Sequence, residues 1–118
     1  MANKRQLKKR ISYVCGDLAA DILFAARLFD GIDRGKVNEI VNEIAALQED
    51  SRAKVSFSFD KSPRDFETRQ AYRAARAAYN AAAFARLREE FSKRAMEIVK
   101  QMNEAVPADV RKALTPQA

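Results

Sequence analysis

SPRDFETRQAYRAARAAYNAAAFARLREEFSKRAMEIVKQMNEAV, residues 62–106, is the stretch whose reading decides the fold. Its second half places apolar side chains at Phe84, Leu87, Phe91, Ala95, Ile98 and Met102, in the steps of three and four that mark one face of a helix. Ser62-Pro63-Arg64-Asp65 reads as a start signal: a hydroxyl cap, proline at the first helical position and an acid three residues after the cap. No glycine or proline follows until Pro107, so the stretch predicts one long helix, or two nearly collinear ones. Its first half differs in chemistry. Alanine fills nine positions between Ala71 and Ala85, interleaved with Arg69, Tyr72, Arg73, Arg76 and Tyr79.

Upstream, a first helix is expected from Asn3 to about Phe29, with Gly31 available as its C-terminal cap. Leu7, Ile11, Val14, Leu18, Ile22, Ala25 and Phe29 form its apolar stripe and recur at an eleven-residue spacing. Eleven residues in three turns is about 3.67 per turn, close to an unstrained helix, so the helix should be nearly straight. Gly16 should cost roughly 1 kcal/mol against alanine and permit close approach of a neighbouring backbone. Leu23 and Phe24 lie off the stripe and Leu28 flanks it, so the end of this helix is apolar almost all round.

Asp33 then caps a second amphipathic helix, about Arg34 to Ala53, with Val37, Ile40, Val41, Ile44 and Leu47 on one face. Val55, Phe57 and Phe59 alternate with Ser56 and Ser58, which is a strand period. With no partner strand in the chain, the segment is expected to be an extended connection laying Phe57 and Phe59 over the end of the bundle; the alternative is pairing across a dimer. After Val106, Pro107 should stop or kink the long helix, a short helix to Leu114 can follow, and residues 115–118 should be loose.

The N-terminal pattern Met1-Ala2-Asn3-Lys4-Arg5, Leu7-Lys8-Lys9, Ile11, Tyr13-Val14-Cys15 and Leu18 resembles a family of short bacterial proteins of unknown function. The likeness continues through Asp33, Lys36-Val37 and Glu43-Ile44 and resumes at Phe84, Leu87-Arg88, Glu90-Phe91 and Ile98. It implies a three-helix bundle and brings no activity, ligand or catalytic residue. The chain departs from the pattern around Lys54–Ala83, where the alanine–arginine segment lies.

One domain is expected for 118 residues, spanning residues 1–114. The net charge is +6, and five arginines with no acid lie between Thr68 and Arg88. Histidine is absent, which removes the commonest acid–base group and metal ligand at neutral pH. The lone Cys15 is expected to pack on a helix face. Lys4, Arg5, Lys8, Lys9 and Arg10 precede an apolar run, but Asp17 and Asp21 interrupt it, so neither an export signal nor a membrane span is expected. The expected location is the cytoplasm.

Asp17 and Asp21 sit four apart and could hold a metal, yet helix-borne dimetal sites draw on Glu-x-x-His, and the expected role is pairing with arginines of the long helix. No nucleophile has a base beside it, so no enzyme, cofactor or metal site is expected. Arg69, Tyr72, Arg76, Tyr79 and Arg86 fall within about 100° on the helix, and Arg73 is close by. Such a stripe can grip phosphates and stack on bases. The competing expectation, which the sequence favours, is tyrosines that pack and arginines that pair with Asp17, Asp21 or the acidic second helix.

These observations predict an all-α, up-down-up three-helix bundle with an overlong C-terminal helix. A break near Tyr79-Asn80 would give four helices; a continuous helix would leave the alanine segment free to meet another subunit. The expected function is a non-enzymatic self-assembly or protein-interaction module, a dimer foremost, with Leu23, Phe24, Ala78 and Ala82 as contact residues. Nucleic-acid or acidic-ligand binding through residues 69–86 is the alternative.

Overall fold

Asn3 opens the first helix by accepting the Gln6 N–H on its side chain at 2.7 Å, and α1 then runs Lys4–Leu28. The computed structural model describes residues 3–106, so the expected short helix after Pro107 and the tail at 115–118 lie outside the described residues. Asp33 caps α2, Arg34–Lys54, accepting from the N–H groups of Gly35 and Lys36 at 2.9 and 3.2 Å. A side-chain cap of this kind contributes about 1 kcal/mol against alanine. The third helix, α3, is Arg69–Ala105, 37 residues without interruption. The chain is all-helical among the described residues, with no strand.

α2 packs against both other helices. Ile11, Cys15 and Ile22 of α1 meet Val37, Ile40, Ile44 and Leu47 of α2 and Leu87 and Ile98 of α3 in one core, which Ile32 and Val55 close at the loops. Polar contacts around this core fix the register. Arg52 reaches the Ser12 hydroxyl, Arg94 pairs with Asp50 at 3.1 Å and Lys54 with Glu90 at 3.2 Å. These ion pairs are exposed, so they set alignment and contribute at most about 1 kcal/mol each.

At 1.5 Å per residue α3 is about 55 Å long against about 31 Å for α2. The Cα atoms extend 65 × 32 × 17 Å with a radius of gyration of 19.7 Å, where a compact chain of this length would have about 13 Å. The core engages α3 only from Leu87 onward, so its first four turns project beyond the other helices.

Three local expectations change, and the open question of a break in the long helix is decided. Ser62 and Asp65 do form a reciprocal cap, with the Ser62 N–H donating to the Asp65 carboxylate at 2.9 Å, but it opens only a single 3-10 turn, Pro63–Asp65. Phe66 is extended, and Thr68 caps the true helix start by accepting the Ala71 N–H at 3.0 Å. The helix also runs unbroken through Tyr79-Asn80, so no fourth helix arises there. Gly31 does not cap α1: Phe29 takes that position with extended backbone, and no glycine has positive φ.

Gly16, finally, admits no close neighbour, because a Cβ built there would meet nothing within 4 Å. It therefore carries only the entropic cost of glycine in a helix. Gly16→Ala is expected to raise stability by about 0.5–1 kcal/mol and the melting midpoint by about 2–5 °C. A melting curve that falls instead would mean this face of α1 is covered.

Candidate functional site

The projecting turns of α3 are covered on one side by the chain that leads into them. Residues 56–68 run outward from the end of α2 alongside these turns as a strap, and its rings interleave with those of the helix. Phe57 lies edge-on to Phe84 at 4.9 Å and to Tyr79 at 6.4 Å between centroids. Phe59 packs on Phe66, Tyr72 and Tyr79 at 6.1, 5.9 and 5.4 Å, and Phe66 on Tyr72 at 5.7 Å. Each such pair contributes about 0.5–1.5 kcal/mol beyond its buried area. The alternation at Phe57 and Phe59 thus serves the overhang of α3 rather than the end of the bundle. The N-terminus of α1 is tied to the same strap, with the Lys4 ammonium donating to the Phe57 carbonyl and lying 4.7 Å over its ring.

Tyr72 and Tyr79 are therefore spoken for by Phe59, Phe66 and Phe57, while Arg69, Arg73, Arg76 and Arg86 are exposed. Among the described residues none of these four arginines is in an ion pair; the pairs present are Lys36–Glu39, Lys54–Glu90 and Arg94–Asp50. The expected pairing of the stripe with Asp17, Asp21 or α2 does not form. α1 is seated on α2, and both aspartates face solvent. Asp17 and Arg88 do line one groove, with Arg10, Tyr13, Val14 and Phe84, but do not pair.

The strap gathers charge that the sequence scatters. Residues 3–16 and 54–88, joined through Lys4, Phe57 and Phe84, hold thirteen basic and three acidic side chains, +10 in all. The remaining described residues, 17–53 and 89–106, hold seven basic and twelve acidic ones. One end of the molecule is strongly positive and the rest is negative.

A second feature is apolar. Tyr13, Phe24 and Leu28 on α1 and Met96 and Val99 on α3 are exposed, as is Leu23. Tyr13, Phe24 and Leu28 fall within about 60° on α1, and Met96 and Val99 within about 60° on α3. Of these residues Tyr13 lines a groove between α1 and α3, together with Asp17, Phe84 and Arg88. Ala78 and Ala82 are exposed further along α3. Sequence periodicity pointed to Leu23, Phe24 and Leu28 but passed over Tyr13 and Met96; Met96 falls opposite the Leu87–Ile98 stripe, and that position was the available signal.

Cys15 is buried in the core, and desolvation pushes its thiol above the usual range, with the Arg94 charge acting the other way more weakly. It is a packing residue. Among the described residues no group of three or more His, Cys, Asp or Glu side chains could hold a metal ion, and no helix is long and apolar enough to cross a membrane.

Comparison with known protein families, with curated proteins and with solved structures finds no match. Function has to be read from this chain's own residues.

Proposed function

We propose that the chain is a non-enzymatic self-assembly module: an up-down-up helical bundle that pairs with a second copy through the exposed apolar strips of α1 and α3. The observation that carries this reading is the exposure of large apolar side chains on the two helices, 69% for Tyr13, 65% for Phe24 and 73% for Met96. Several large apolar side chains left this exposed on one small domain are a candidate contact surface. Charge favours a second copy as the occupant. Both strips carry both signs, Arg10, Asp17 and Asp21 on α1 and Arg88 and Glu89 on α3, so a two-fold axis laying α1 of one copy on α3 of the other can pair unlike charges. The sole thiol, buried and held protonated, offers no nucleophile.

Sedimentation of the full chain at high micromolar concentration tests this. The expected mass is twice the 13.3 kDa of one chain. Phe24→Glu with Met96→Glu should return it to the single-chain value, because each charge would have to be desolvated in the interface. Ala78→Glu with Ala82→Glu should have that effect only if the small-residue face of α3 takes part. A wild-type chain that stays at 13.3 kDa throughout would overturn the proposal.

A further inference from the structure

We propose that the positive end is a second, independent contact surface, and that it docks on duplex DNA through phosphates without sequence choice. Thirteen basic side chains against three acidic ones make a field that draws in a polyanion. Of the thirteen, only Lys54 is in an ion pair among the described residues. Apart from Lys4, which is engaged with Phe57, the rest do not have to leave an ionic partner in order to bind. Arg69, Arg73 and Arg76 lie within about 60° on α3 and span about 10 Å of a helix that the aromatic strap holds rigid.

Two observations select the duplex and its form. Tyr72 packs on Phe59 and Phe66, and Tyr79, in contact with Phe57 and Phe59, is 39% exposed, so the surface offers one part-open ring and not the succession of rings on which single-stranded bases stack. The face of α3 beside the arginines carries Ala71, Ala74, Ala77, Ala78 and Ala81, all exposed. A helix trimmed to alanine there is slim enough for the roughly 12 Å major groove of B-form DNA, with arginines reaching the flanking phosphates. The deep, narrow major groove of A-form RNA does not admit it.

The test is fluorescence anisotropy of the full chain with a labelled 24-base-pair DNA duplex of arbitrary sequence, between 50 and 200 mM sodium chloride. Binding is expected, with log affinity falling against log salt at a slope of about −4 to −6, for five to seven neutralised phosphates. Arg69→Glu, Arg73→Glu and Arg76→Glu together should weaken it by about 100-fold or more. The melting temperature and the sedimentation mass should not change, which separates this surface from the apolar one. If the charge reversal unfolds the chain, the triple alanine variant takes its place, since alanine maintains the helix. RNA duplex and single-stranded DNA of the same sequence should each bind at least about tenfold more weakly. No binding at 50 mM salt, no effect of the arginine variants, or equal affinity for RNA duplex or single strands would each overturn the proposal.

Discussion

Leu47→Ala is expected to destabilise the fold by about 2–5 kcal/mol and to lower its melting midpoint by about 10 °C or more. Leu47 is 0% exposed in the middle of α2, the helix that packs on both others. Removing its isobutyl group opens a cavity facing α1 and α3 at once, and neither helix can close it without leaving the other. For a domain whose total stability is of order 5–15 kcal/mol, the loss is a large fraction. The control is Leu23→Ala on exposed α1, which should shift the midpoint by less than about 4 °C. Thermal unfolding followed by circular dichroism reads both. Equal shifts for the two would show that α2 is not the central helix.

Phe59→Ala should act on only part of the molecule. The ring touches Phe66, Tyr72 and Tyr79, so its removal dismantles the centre of the strap, at an expected cost of about 2–4 kcal/mol. The turns it covers have little else to hold them, and helical segments of this length are marginal in water even when rich in alanine. Hydrogen exchange should accelerate in residues 56–83 by about 10-fold or more while residues 87–105, seated in the core, stay protected. Acceleration spread evenly over the whole chain would show that strap and bundle are one cooperative unit.

Much of this fold was legible from side-chain spacing. The steps Phe84, Leu87, Phe91 and Ile98 specified the seated half of α3, Ile40, Ile44 and Leu47 specified the buried face of α2, and Asn3 and Asp33 were visible as caps. All of these are local or periodic signals, which a linear chain carries openly. The misreadings come from positions where a tertiary contact overrides the local rule. Ser62-Pro63-Arg64-Asp65 has the chemistry of a helix start, yet the chain must turn once more there for Phe66 to reach Phe59 and Tyr72. Gly31 had the composition of a cap, but Phe29 is already extended and ends the helix before it.

The candidate surfaces were legible in composition and not in placement. Arginines at 69, 76 and 86 could be seen to share a sector with Tyr72 and Tyr79, with Arg73 close by. What could not be seen is that Phe57, Phe59 and Phe66 claim the rings and leave the guanidinium groups unclaimed. Nor does a linear sequence show that Lys4–Arg10 and Arg64–Arg88 meet at one end, because that follows from the Lys4–Phe57 contact.

The strap also divides the ways in which the two halves of α3 come to order. Its ring contacts join residues as close in sequence as Phe59 and Tyr72, whereas the bundle must bring Asp50 to Arg94 and Ser12 to Arg52. Closing a loop of 13 residues rather than 44 saves about 1 kcal/mol of chain entropy. The overhang that looks, in the finished molecule, like an appendage of the core is thus the part whose tertiary contacts demand the least long-range organisation of the chain.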